Sequence, residues 1–112
     1  MPRKIIILEN IRSAYNVGNV IRTADALGRE VRITGYTPSP LDHPKVKKTS
    51  LGAEDSVALK QFDYTNDAIT YAKELKISII AAEITPDAID LQSFSENNRA
   101  DIAIVFGNEV EG

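Results

Sequence analysis

The stretch Asn16-Val17-Gly18-Asn19-Val20-Ile21-Arg22-Thr23-Ala24 places two amides, a glycine and a guanidinium close together. At about 100° per helical residue, Asn16, Asn19 and Thr23 fall along one edge of an apolar stripe made by Val17, Val20, Ile21, Ala24 and Leu27. Arg22 lies further round, away from that stripe. An arginine presents a rigid fork of N–H donors that matches a phosphate or an oxygen gaining negative charge. It normally stays protonated, so it grips and stabilises more readily than it removes a proton. Gly18, in the first turn, lets another backbone or a ligand come close. The plain alternative is a capped amphipathic helix with a solvated arginine. Two asparagines and a glycine in one turn fit that less well, since neither type is a strong helix former. No G-x-G-x-x-G and no G-K-[ST] is present, so the segment is neither a dinucleotide fingerprint nor a P-loop.

Two further constellations follow. Val105-Phe106-Gly107-Asn108-Glu109-Val110-Glu111-Gly112 is a strand end running into an acidic, glycine-containing loop. Such a loop can approach a ribose or an adenine through its backbone; alone, it reads as a turn with Asn108 and Gly112 as turn residues. Between the two constellations, His43, Lys45, Lys47 and Lys48 crowd into six residues, followed by Thr49 and Ser50. Alone, this is equally well a solvated charged loop. Lysines there would contact nucleic-acid phosphates, which gives affinity and salt dependence rather than sequence choice. His43 is the chain's single histidine and reads as a solvated loop residue. The sequence holds no metal-ligand cluster.

These groups need a scaffold, and the hydrophobic pattern supplies one. Lys4–Glu9 reads as a buried strand, Asn16–Leu27 as a helix with Asn16 as N-cap and Gly28 just past its end, and Val31–Tyr36 as a second strand. Pro38, Pro40 and Pro44 mark a loop from Thr37 to Lys48. Ser56–Phe62 reads as a short strand and Asn66–Lys76 as a helix with Ala68, Ile69, Ala72 and Leu75 on one face. Ile77–Ile84 is a fully buried strand, Pro86–Arg99 a loop with at most one helical turn, Asp101–Phe106 the last strand and Gly107–Gly112 a loop. Strands that are continuous apolar runs and alternate with helices imply a parallel sheet covered on both faces, an α/β Rossmann-like unit. In such sheets ligands bind at the carboxyl ends of the strands, where both outer constellations fall. No helix is expected after the last strand, so part of the sheet should lie uncovered.

Composition narrows the class. Hydrophobic residues make up 43% and charged residues 26% of the 112, which excludes a disordered chain. With no cysteine there is neither a disulfide framework nor a thiolate metal site, and with neither a signal-peptide pattern nor a long apolar run, a cytoplasmic protein with no membrane contact is expected. The net charge of −3 gives no overall basic footprint. Its distribution is uneven. Residues 1–61 carry ten Lys/Arg against six Asp/Glu, and residues 62–112 carry three against ten. An RNA surface would be built from the first half.

The stretch from Asn16 to Ala24 resembles the first motif of the SpoU/TrmH family of RNA 2′-O-ribose methyltransferases, in the SPOUT class, with Asn16, Gly18, Arg22, Thr23 and Ala24 matching. Gly107, Glu109 and Gly112 resemble its second motif, and Thr49 to Glu54 its middle segment. The resemblance covers essentially the whole chain. It implies a single SPOUT domain over residues 1–112 that methylates a ribose 2′-hydroxyl in tRNA or rRNA using S-adenosylmethionine. Arg22 would be catalytic with Asn16 positioning it and the RNA. Glu83, Ile84, Gly107, Asn108, Glu109 and Gly112 would hold the cofactor, the end of the preceding strand (82–85) lining its pocket. Asn16, Asn19, Arg22, Lys45, Lys47, Lys48 and Ser50 would meet RNA. The family's third motif, roughly Ser-Leu-Asn-Val-Ser, threads the knot, completes the cofactor pocket and builds the homodimer. It is not found in these 112 residues. The expectation is therefore a C-terminally incomplete, unknotted domain that is inactive alone. The competing readings are a non-catalytic RNA-binding or assembly module with this fold and an unrelated α/β nucleotide-binding domain.

Overall fold

The computed structural model describes residues 3–40, 43–53, 57–83 and 101–107, without the side chains of 80–83. Its centre is β1 (Lys4–Glu9). The run of isoleucines and leucine there is buried in alternation. Ile6 and Leu8 join one core and Ile5 and Ile7 the other, as a strand covered on both faces requires. Each such side chain contributes about 1.5–3 kcal/mol by leaving water.

The other strands are β2 (Glu30–Thr34), β3 (Ala58–Phe62), β4 (Ser78–Glu83) and β5 (Ile102–Gly107). They form one sheet in the order β3-β2-β1-β5-β4, every pair parallel. The chain steps outward from β1 through β2 to β3 at one edge, crosses to β4 at the other and returns to β5, so the carboxyl ends of β1 and β5 lie side by side at the centre of the sheet, the end at which such sheets bind ligands. This is the α/β parallel sheet with helices on both faces that the sequence implied. Helices α1 (Ala14–Leu27) and α2 (Pro44–Ser50) cover one face, with Val17, Val20, Ile21, Ala24 and Val46 in its core. Helix α3 (Thr65–Glu74) covers the other through Ala68 and Ala72.

Several boundaries differ from the sequence reading, each for a local reason. Ser13, not Asn16, caps α1: its side chain accepts from the Asn16 N–H at 3.2 Å, so the helix begins two residues earlier. Gly28 ends α1 in the left-handed region, φ 69°, as expected. Strand β2 stops at Thr34 because Gly35 turns the chain with φ 64°, while the Asn10 side chain fills the place of a Cβ and accepts from the Tyr36 N–H. The basic segment is a helix rather than a loop. Pro44 starts α2 at a position where a missing N–H costs nothing, and Lys47 and Lys48 sit in its last turn, favourable to the helix dipole. Helix α3 ends at Glu74, where Leu75 turns outward and Lys76 takes φ 61°. The segment 86–99 lies outside the described residues.

Among the described residues β5 is covered, Ile102 to Phe106 all being buried, whereas the edge strand β3 mixes half-buried and exposed residues, Lys60 among them. At the opposite end of the sheet, Glu30 ties the amino ends of the strands together. It accepts from Arg3 Nε and Nη2 at 2.9 and 2.8 Å and from the buried Arg32 at 2.8 Å. The Arg3 hydrogen bond, more than burial opposes it, holds the Glu30 carboxyl below the usual carboxylate range.

Candidate functional site

The glycine of the first constellation explains how the site is built. An ideal Cβ on Gly18 would lie 2.5 Å from Thr49 Cβ, 2.8 Å from the Val46 carbonyl oxygen and 3.1 Å from the Ser50 N–H nitrogen. Only glycine lets α2 press its backbone against the first turns of α1. The close approach expected there is thus to another backbone, and it brings the basic helix beside the motif that carries Arg22.

Where the two helices diverge toward solvent they leave a groove of about 440 Å³ lined by Tyr15, Arg22, Lys45, Lys48, Thr49 and Leu51. Among the described residues, three cations and no carboxylate line it. Arg22 is exposed, and its Nη2 donates to Asn19 Oδ1 at 2.8 Å. Asn19 therefore holds the guanidinium in this structure. Asn16 is exposed in the first turn, its backbone N–H spent on the Ser13 cap. Thr49 donates its hydroxyl to the Lys45 carbonyl at 2.9 Å, which closes the last turn of α2 under the groove. Lys47 is exposed on the same helix but outside the lining. Ser50 is fully buried, its hydroxyl donating to the Lys47 carbonyl at 3.2 Å, so it faces the α1 contact rather than a solvent-borne ligand.

The structure thus brings together Asn19, Arg22, Lys45 and Lys48, and adds Tyr15, which the sequence reading did not single out, and Thr49 and Leu51, to which it gave no role beyond the family-like middle segment. Tyr15 had a legible signal. Tyr15, Asn19 and Arg22 are spaced by four and three, so they share one helical face. Leu51 had none, because its exposure follows from a left-handed φ of 55° at the end of α2.

Of the residues expected at the cofactor, Glu83 and Gly107 stand at the carboxyl ends of β4 and β5. Glu83 and Gly107 are register partners, and Gly107 also pairs with Glu9. A Cβ on Gly107 would lie 3.4 Å from Glu9 Oε1, and without one the strand end offers bare backbone beside β1. That suits a nucleoside group resting against main chain. The side chain of Glu83 is not described, and Ile84, Asn108, Glu109 and Gly112 lie outside the described residues. A second crevice of about 500 Å³ opens over the carboxyl ends of β1, β2 and β3, lined in part by Glu9, Asn10, Tyr36, Asp63 and Tyr64. Among the described residues no cluster of His, Cys, Asp or Glu has metal-ligand geometry, and no helix is long and apolar enough to cross a membrane.

Comparison with known proteins places this geometry. The sequence profile of the SpoU rRNA Methylase family matches residues 3–112. A tRNA (guanosine(18)-2′-O)-methyltransferase of Borreliella burgdorferi is 30% identical over 107 residues, 95% of this chain and 47% of that protein. The enzyme of the same name from Thermus thermophilus is 27% identical over 115 residues, 99% of this chain and 55% of its own length. The chain spans about half the length of the curated relatives it matches. Among solved structures, an RNA 2′-O ribose methyltransferase superposes with a TM-score of 0.73 at 28% identity, covering 100% of this chain and 43% of its own.

Proposed function

This chain belongs to the SpoU rRNA Methylase family, and from that premise we propose that it serves S-adenosylmethionine-dependent methylation of a ribose 2′-hydroxyl in tRNA or rRNA. The observation that carries the reading is the convergence of Arg22, Lys45 and Lys48 in one groove whose described lining holds no carboxylate. Relatives named as tRNA 2′-O-methyltransferases support the reaction class.

Each residue has a task that follows from its chemistry. A ribose hydroxyl is a weak acid and a poor nucleophile, so it must release its proton, ultimately to water, as it attacks the methyl and displaces the thioether, and it needs a partner for the negative charge that this leaves on its oxygen. The Arg22 fork takes a phosphate oxygen and the attacking ribose oxygen together, which fixes the nucleotide and favours that charge. Asn19 holds the guanidinium through the 2.8 Å contact, so less side-chain freedom is lost when RNA arrives. Asn16, one turn earlier on α1, contacts the RNA that Arg22 grips. Lys45 and Lys48, with Lys47 beside them, neutralise flanking phosphates.

S-adenosylmethionine, when bound, supplies an electrophilic methyl group on a sulfonium. Glu83 and Gly107, with Ile84, Asn108, Glu109 and Gly112, are the residues of this chain that would hold it. The bare backbone at Gly107 fits that role, and a solved rRNA methyltransferase of Sinorhizobium meliloti with AdoMet bound shares the fold at a TM-score of 0.73 and 21% identity, covering 96% of this chain and 40% of its own. We place the whole segment in one SPOUT domain acting as a homodimer in the cytoplasm, where tRNA and rRNA are found, without metal.

Calorimetric titration with S-adenosylmethionine tests the assignment, on the 112-residue chain and on a chain extended through a third-motif segment. Binding by the extended form, whatever the shorter one does, supports the methyltransferase reading. Binding by neither would replace it with a non-catalytic RNA-binding module on the same fold.

A further inference from the structure

The groove beside Arg22 has an apolar side that phosphate binding does not use. Tyr15 is 66% exposed and Leu51 69% exposed, and both line it with the three cations. Tyr36, Tyr64 and Leu75 are exposed elsewhere, so what sets Tyr15 and Leu51 apart is that they share a groove with cations. Leu51 closes α2 at φ 55°, the left-handed conformation in which helices commonly end, its N–H donating to the Lys47 carbonyl at 3.3 Å.

We propose that Tyr15 and Leu51 form a nucleobase subsite, in which one base of a single-stranded or unstacked RNA segment stacks on the Tyr15 ring and against Leu51. Its phosphates then rest on Lys45 and Lys48, and its ribose side faces Arg22. The occupant is a nucleotide rather than a protein segment because the groove pairs an aromatic ring with three cations and no carboxylate among its described residues. Aromatic stacking with flanking lysine or arginine is how proteins hold unpaired bases. Stacking tolerates every base, so the subsite selects an accessible, unpaired nucleotide rather than a sequence. The inference rests on the RNA reading of the groove and adds residues to it.

The test exploits the absence of tryptophan from the chain. Tyr15→Trp places a single fluorophore in the groove. Titration with a short single-stranded RNA of mixed sequence should quench its emission, and a duplex of the same sequence should quench it much less. In parallel, RNA affinity is measured against salt for Tyr15→Ala, Tyr15→Phe and the double variant Lys45→Ala/Lys48→Ala. Tyr15→Ala should weaken single-strand binding by roughly tenfold with an unchanged salt slope, and Tyr15→Phe should bind like wild type. The lysine variant should flatten the salt slope by roughly 1.4 for two lost phosphate contacts on a single strand.

If the lysine variant flattens the slope while Tyr15→Ala leaves affinity flat and Tyr15→Trp shows no quenching, the groove touches backbone only and the base subsite is overturned, with the RNA reading intact. If neither set alters RNA binding, the RNA reading itself fails. If Tyr15→Ala changes the oligomeric state by sedimentation while RNA affinity holds, the apolar side is a protein interface and the proposal is equally overturned.

Discussion

Replacing Gly18 by alanine separates two accounts of a helical glycine that predict opposite signs. On an unobstructed helix, alanine is favoured over glycine by about 1 kcal/mol, so the variant should be more stable. The structure leaves no room for the added methyl. Its Cβ would stand 2.5 Å from Thr49 Cβ and 2.8 Å from the Val46 carbonyl oxygen. The threonine side chain can swing, but the carbonyl belongs to the backbone of α2, so the helices must part by several tenths of an ångström. Overpacking of this kind costs about 1–3 kcal/mol, with the upper part of that range expected where backbone is struck. After the propensity gain, the net loss is about 1–2 kcal/mol. At roughly 4–8 °C per kcal/mol for a domain of this size, Tm should fall by about 5–15 °C. Thermal and urea unfolding followed by circular dichroism measures it. Parting the helices also moves Lys45 and Lys48 away from Arg22, so RNA affinity should fall with the stability. A variant that melts at or above the wild-type temperature would refute the tight α1–α2 contact and the account of the groove built on it.

Two further perturbations test the scaffold. Ser13→Ala removes the cap of α1 and should cost about 1 kcal/mol by urea unfolding, whereas Asn16→Ala should cost much less, because the cap accepts from the Asn16 backbone. Glu30→Gln should cost about 2 kcal/mol at neutral pH, since Arg3 and the buried Arg32 lose their anionic partner. Because the Glu30 carboxyl titrates below its ordinary value of 4.5, the folded state binds fewer protons there than the unfolded one. Its stabilisation is therefore present above that value and fades as pH drops through the lower folded value. The gap between wild type and Glu30→Gln should close in acid, and a gap that stays constant from about pH 7 to about pH 3 would contradict the ion-pair account.

Much of this architecture was legible because β1 and β5 are unbroken apolar runs. Such runs have few arrangements other than a central parallel strand under helices on both sides. Arg22, Lys45 and Lys48 were legible as types suited to RNA, and Gly18 as a point of close approach. The helical state of the basic segment was not. Three prolines there outweighed the fact that one of them opens a helix without penalty, and seven residues are too few for periodicity to speak. The N-cap was misplaced because Ser13 and Asn16 are equally good capping types, and only backbone geometry at Ser13 decides between them. The Asn19 contact with Arg22 was not legible, since both asparagines lie on the same edge of α1 and only the rotamers place the Arg22 fork on Asn19. Leu51 stood inside the family-like segment Thr49 to Glu54, but its exposure beside Arg22 was not legible, because it depends on how α2 lies against α1, which no local pattern encodes.

The central claim is that Arg22 drives ribose methylation from this groove. It is tested most directly by transfer of labelled methyl from S-adenosylmethionine to bulk tRNA and rRNA, using wild type and Arg22→Ala of the chain extended through a third-motif segment. Nuclease digestion then locates the label. The account predicts label on the ribose 2′-oxygen in the wild type, and a loss of at least roughly a hundredfold in Arg22→Ala with unchanged circular dichroism, the scale expected when a group stabilising developing charge is removed. Label on a base, or near-normal turnover by Arg22→Ala, would contradict it.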